Sequence, residues 1–142
     1  MITGAVAAQA YQLHRHLDNS DEVVFADSAD VPMISKSSKF LKIPSGDSAA
    51  FAHSLLSMCL DHGIEKVYPL RKNELLPLAE ARTLFDEYGI QLIVPEKDLI
   101  SSLLNKGVKG QIVIREGSDE MPDRGIFVVS PQGTELQLFT AD

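Results

Sequence analysis

Tryptophan is absent from this chain of 142 residues, and aromatic residues make up only 6% of it, so any core must be built mainly from aliphatic side chains. Cysteine occurs once, at Cys59. A single thiol excludes an internal disulfide and fits a reducing cytoplasm. Basic residues are in deficit, 13 against 20 acidic ones, for a formal net charge of −7. A general nucleic-acid surface or an anionic membrane needs a basic face, so neither is expected as a partner. No apolar run approaches the length of a membrane span, and no signal peptide precedes the first helical pattern. Internal repeats and low-complexity tracts are also missing.

What remains is the composition of one globular domain. Apolar residues are 44% of the chain and charged residues 23%, which leaves no case for disorder. The length suits one domain with a proper core.

Along the chain, strand-like and helix-like runs alternate. Ile2-Thr3-Gly4 ends a first, very short strand. Val6, Ala10, Leu13 and Leu17 then recur at helical spacing and are expected to face inward. "EVVFAD" reads as a buried strand from Val23 to Ala26 with Asp27 just beyond it. After the polar loop "SADVPMISKSSKFLKIPSGD", Asp47 or Ser48 is the expected cap of a helix that turns Phe51, Leu55, Met58 and Cys59 inward and stops at Gly63. "IEKVYPL" is the next strand. Asn73 is the expected cap of a third helix, which places Pro77 in its first turn and ends at Tyr88-Gly89. "IQLIVP" is another strand and "EKDLISSLLNKG" a short helix.

The last third changes character. "QIVIRE", "GIFVVS" and "TELQLF" are β-type runs with no helix between them, and "SPQG" carries a type I turn signal. The fold class expected is therefore α/β, a Rossmann-like parallel sheet with helices on both faces, plus a carboxyl-terminal antiparallel β meander. Residues 1–104 form the first unit, and 105–142 a meander packed on the same domain.

The order of motifs resembles the amino-terminal, Rossmann-like domain that precedes the catalytic fold in ATP-grasp enzymes, especially carbamoyl-phosphate-synthase-like members. "TGA", "VVFAD", "KIPSGDSAAFAHSLLSMCLDHGIEKVYPLRKNELLPLA" and "LFDEYGIQLIVPEKDLI" carry the likeness, from Ile2 to Leu104. The resemblance implies a domain that supplies substrate-side wall beside a separate domain holding ATP and magnesium. ATP and magnesium are thus expected only with a partner ATP-grasp domain, and no cofactor in the isolated chain. The family often has an acid two residues before the glutamate of its "EL" motif, where this chain has Lys72. "IVIREGSDEMPDRGIFVVSPQGTEL" faintly resembles the ATP-covering hairpin, without its lysine and without magnesium carboxylates after it. The expectation is a shortened relative or the front piece of a split enzyme, working with an ATP-grasp catalytic chain or as a homo-oligomer.

Candidate ligand-binding residues cluster where parallel strands end. These are Thr3, Gly4, Asp27, Arg71, Lys72 and Glu74, since ligands of open sheets sit beyond the carboxyl ends of the strands. An arginine and a lysine there can hold a carboxylate or phosphate. The bland readings are a solvated acid at Asp27 and an acid in a first helical turn at Glu74. "GAVAAQ" lacks the second and third glycines that bring backbone close to a pyrophosphate, so the turn does not itself announce a dinucleotide site. Cys59 and His62 share a helix, but no third residue completes a nucleophilic set. His14 and His16 point apart, so no metal site is expected. Lys36, Lys39 and Lys42 form a basic stretch, and "EGSDEMPD" reads as a mobile hairpin loop. No catalytic residue is assigned. Two functions follow: a non-catalytic ATP-grasp front domain, or a stand-alone nucleotide or small-molecule binder. The second requires a closed, roomy pocket near Gly4, Asp27 and Arg71.

Overall fold

A computed structural model describes residues 1–17, 22–30, 39–118, 120 and 122–142 of the chain. Lys36 therefore lies outside the described residues, as do the side chain of Lys39 and, in the acidic hairpin loop, Asp119 and Met121. The chain is α/β. In order come α1 (Ala8–His16), β1 (Val24–Asp27), β2 (Lys39–Lys42), α2 (Phe51–Asp61), β3 (Lys66–Val67), α3 (Lys72–Glu80), α4 (Arg82–Glu87), β4 (Gln91–Leu92) and α5 (Lys97–Ile100). A single 3₁₀ turn follows over Ser101–Leu103, then β5 (Gln111–Glu116), β6 (Arg124–Val129) and β7 (Leu136–Leu138).

The parallel strands pair as β1 with β2 and β3 with β4. What joins the two pairs is the opening segment. Ile2 bridges in parallel to Phe25 on one side and to Tyr68 on the other. Its N–H donates to Val24 O at 2.8 Å and its carbonyl accepts from Ala26 N at 2.9 Å. Thr3 N–H donates to Tyr68 O and Tyr68 N–H to Met1 O. A strand of three residues thus occupies the centre, giving the spatial order β2, β1, opening segment, β3, β4. The regular strands β3 and β4 are much shorter than their apolar runs suggested. Beyond those two-residue ladders the chain stays close through single bonds such as Ile93 N–H to Val67 O.

Neighbouring residues on these strands fall into two separate clusters. Met1, Val24, Ala26, Val67, Leu92 and Val94 belong to one, with Phe51, Leu55, Cys59, Leu75, Leu78 and Phe85 from α2, α3 and α4. Ile2, Phe25, Tyr68 and Ile93 belong to the other, with Ala10 and Leu13 from α1. This alternation is the period-two signature of strands buried on both faces.

Several local expectations need correction. Val6 is not on the inward face: it precedes α1 and is 46% exposed. β1 runs one residue later than its apolar run implied and includes Asp27. Neither Asp47 nor Ser48 caps α2, whose cap position is Ala50 with no side-chain bond. Ser48 instead holds the preceding turn, through its carbonyl to Phe51 N–H. α3 begins two residues earlier than expected, with Arg71 at the cap position, so Pro77 falls in the second turn. The missing N–H of Pro77 leaves the Asn73 carbonyl without its helical donor. Gly46 lies directly against that carbonyl: a Cβ there would stand 2.3 Å from Asn73 O. The helix then breaks at Ala81, between α3 and α4.

The carboxyl-terminal third is an antiparallel sheet in the order β5-β6-β7. The Ser130–Gly133 turn closes as expected, with Gly133 N–H on Ser130 O at 2.9 Å. β6 contributes Ile126 to one core cluster and Phe127 to the other. Glu116, at the end of β5, accepts from Lys66 Nζ at 3.0 Å and Tyr68 OH at 2.8 Å. Arg124 forms a two-pronged pair with Asp86 of α4, both bonds 3.0 Å. No helix among the described residues is long and apolar enough to cross a membrane.

Candidate functional site

At the carboxyl ends of the parallel strands the chain brings together Thr3, Gly4, Asp27, Arg71 and Glu74. Asp27 closes β1 and is fully buried. Its two oxygens take both prongs of Arg71, Nε at 3.1 Å and one terminal nitrogen at 2.7 Å. They also accept from the backbone N–H groups of Val6 at 3.0 Å and Ser28 at 2.8 Å. Burial pushes this carboxyl up, but the Arg71 hydrogen bonds, the backbone N–H donors and the Arg71 charge outweigh it, so its pKa lies below the usual value. The solvated acid expected at Asp27 is thus replaced by a buried, fully bonded carboxylate.

This arrangement bears on the nucleotide question directly. In a dinucleotide site the turn after the first strand offers its N–H groups to a pyrophosphate. Here the Val6 N–H in that turn is already taken by Asp27. A phosphate in that turn would have to displace the Asp27 carboxylate from this N–H. The residues present do not fit a nucleotide in this turn.

Glu74 is 1% exposed, and so is no solvated first-turn acid. It accepts from Thr3 Oγ1 at 2.5 Å and from the Arg71 N–H at 3.2 Å. Thr3 Oγ1 in turn accepts from Leu70 N–H at 2.8 Å. One hydroxyl therefore ties the opening segment to the end of the third strand run and to the start of α3. Burial pushes the Glu74 carboxyl up to about 7, against the hydrogen bonds from Thr3 and Arg71.

Lys72 stands apart from this group. Its ammonium donates to Asn105 Oδ1 at 2.7 Å, and its backbone N–H donates to Asp142 Oδ1 at 2.9 Å. Asn105 holds a left-handed backbone at φ 58°, a conformation asparagine tolerates better than most residues. Gly4 also needs its left-handed φ of 66°, and a Cβ on it would stand 3.2 Å from that of Ala141. The approach of residues 139–142 to this crevice had no signal in the sequence. Asn105 did have one, in the turn-forming "NKG".

Two cavities lie elsewhere. One of about 330 Å³ opens at the amino ends of the strands, beside Met1, Val24, His62, Ile64 and Lys66. Another, of about 320 Å³, lies between Gln9, Gln12, Lys72, Asn105, Gln137 and Asp142. Gly4, Asp27 and Arg71 line neither. Cys59 is fully buried, and burial pushes its thiol up to about 11, so it is no nucleophile. His14 stands edge-on to the Phe25 ring, and the Lys42 ammonium is paired with Asp30.

The model of a protein family described as "PylC-like, N-terminal domain" matches residues 3–93, nearly two thirds of the chain. The chain belongs to the PylC-like N-terminal domain family. No curated protein matches it. The family match covers the whole crevice, from Thr3 to Glu74, and supports the wider grouping of domains that stand ahead of an ATP-grasp domain. The meander and residues 139–142 lie beyond the matched region.

Proposed function

We propose that this chain is the non-catalytic front domain of an ATP-grasp system of the carboxylate–amine ligase type. It contributes substrate-side surface at the strand carboxyl ends and docks a partner ATP-grasp catalytic domain, which alone brings ATP and magnesium. A kinship with carbamoyl-phosphate-synthase-like members and a Rossmann-like sheet are parts of this reading. The order β2, β1, opening segment, β3, β4, with helices from both core clusters, supports that sheet type. Residues 1–104 are the front domain proper, with 105–142 as an extension of it.

The observation that carries the reading is the self-satisfied crevice of a family-typical domain. Asp27 is spent on Arg71 and backbone, and Glu74 on Thr3 and Arg71. Such a network makes a rigid wall, and it leaves no free acid–base pair for chemistry by the chain alone. Lys72, at the edge of the crevice, gives its ammonium to the neutral Asn105 side chain rather than to a carboxylate. Beside it lies the one feature that favours the alternative, a stand-alone binder: the polar cavity of about 320 Å³.

Calorimetric titration of the chain with ATP, with and without magnesium, separates the two. The front-domain reading expects no heat from the chain alone, and ATP hydrolysis or ligation only when an ATP-grasp domain is added. Micromolar ATP binding by the chain alone overturns it in favour of the stand-alone binder.

A further inference from the structure

The antiparallel meander has an open edge at β5. Phe139 N–H donates to Ile126 O and Ser130 N–H to Glu135 O, so alternate residues of β6 turn their backbone groups toward β7. The residues between them, Gly125, Phe127 and Val129, face β5 and pair with Arg115, Val113 and Gln111. Ile112 and Ile114 therefore point their N–H and C=O groups away from β6. Among the described residues nothing hydrogen-bonds to those groups, and both residues are only half-buried. At the next outward residue, Glu116, the Gln91 amide covers the carbonyl and closes that end of the edge. β5 is also the longest edge strand among the described residues, with 6 residues against 3 in β7, 2 in β4 and 4 in β2. β2 has a lysine at each end. Ile112, Val113 and Ile114 carry neither the charge nor the proline that usually guards an edge.

We propose that β5 is a dimerisation strand, which pairs antiparallel with β5 of a second copy of this chain across a two-fold axis at Val113. In that register Ile112 of each copy meets Ile114 of the other, and each such pair exchanges two N–H···O bonds. The Ile112 and Ile114 side chains already pack on the core cluster of Ile2, Tyr68 and Ile93, so the pairing joins two apolar faces into one. The Val113 side chains, which belong to neither core cluster, meet at the axis. The flanks of β5 select a second copy and its direction. Lys106 and Lys109 precede the strand, exposed and without an ion pair among the described residues. Glu116 and Asp123, each paired within the chain, and the exposed Glu120 follow it. An antiparallel copy sets the basic start of one strand beside the acidic end of the other, twice over, whereas a parallel copy sets like charge on like. So short an edge buries less than a standard interface, which makes the dimer weak and concentration-dependent. The pairing uses only residues beyond the family-matched region, so it stands whether or not the ATP-grasp reading does.

Sedimentation equilibrium of the full chain, up to about 1 mM, is expected to show a monomer–dimer equilibrium that weakens with added salt. Residue-resolved hydrogen exchange over the same range locates the contact. The Ile112 and Ile114 amides slow by about tenfold once about nine-tenths of the chain is dimeric, while Val113 keeps the protection that β6 already gives it. Val113→Lys sets like charges at the axis and is expected to weaken association by about tenfold or more. Val113→Thr, which keeps a branched strand former, leaves it within about twofold. The double variant Lys106→Glu, Lys109→Glu leaves the strand itself untouched and also weakens association. A chain that stays monomeric up to about 1 mM overturns the proposal. So does a dimer in which Ile112 and Ile114 exchange as fast as in the monomer, because it then joins through another surface. An association that neither salt nor the lysine variant weakens overturns the charge-matched, antiparallel pairing.

Discussion

Glu74 shows what a single dry carboxyl does at a helix start. Below pH about 4.3, the usual glutamate midpoint, it is protonated in the folded and unfolded chain alike. Between there and its folded value of about 7, only the folded chain holds the proton. Stability from this residue is therefore full below the window and falls as pH rises through it. Glu74→Gln keeps an oxygen for Thr3 and Arg71 and fixes the neutral form. The variant is expected to exceed the parent by about 1–3 kcal/mol at pH 8, with the gap closing toward pH 5. Urea unfolding at both pH values measures it, and parallel pH dependences in the two proteins would sink the idea. The sequence placed Thr3, Gly4, Asp27, Arg71 and Glu74 at one crevice because the strand-end rule is local and periodic. It could not show that Asp27 and Glu74 are dry, because burial depends on Arg71, 44 residues from Asp27, and Thr3, 71 residues from Glu74.

At the level of elements, the places where sequence reasoning failed share one cause. Asn73 looks like a cap because its side chain can serve as one, and Pro77 belongs in a first turn by the same logic. The helix starts at Lys72 instead, because the Glu74 carboxylate reaches back to the Arg71 N–H and Asp142 takes the N–H of Lys72. A local partner, Glu74, and a distant one, Asp142, thus satisfied the helix end that propensity assigned to Asn73. The cost falls on the Asn73 carbonyl, and the loop after β2 meets it with Gly46. Gly46→Ala would press a methyl onto backbone atoms of Asn73 and Glu74. The expected loss is about 1–3 kcal/mol, read as a lower melting temperature in a thermal scan. A melting temperature equal to the parent's would show that the loop can retreat from α3 at no cost. The two-residue β3 and β4 were likewise hidden: their apolar runs are long because both faces are buried, not because the ladders are long.

For the whole molecule, two buried faces and a meander share one body. β6 inserts neighbouring side chains, Ile126 and Phe127, into opposite core clusters, so the meander belongs to the core on both sides. Glu116 adds a polar tie at the far end of β5 through Lys66 and Tyr68. Both charged side chains of that tie are about two-fifths exposed, so its net contribution is small, at most about 1 kcal/mol. Glu116→Ala is expected to change global stability by no more than that, while amide exchange along β5 quickens severalfold and that of α2 stays as it was. Equal acceleration in α2 and β5 would mean that the meander and the parallel strands open only together. The alternation of strand and helix made the α/β class legible from the sequence. The very short first strand at Ile2-Thr3-Gly4 was legible too, but its place between the two strand pairs was not, because its partners Phe25 and Tyr68 lie far along the chain.

The burial of Cys59 has a kinetic meaning. With its thiol pushed up to about 11 by burial and no exposed area, Cys59 in the closed fold holds its proton at neutral pH and offers no surface to a reagent. Alkylation at this position can proceed only as fast as α2 lifts off the strands. The chain thus carries its own single-atom clock for core opening, silent while the fold is closed.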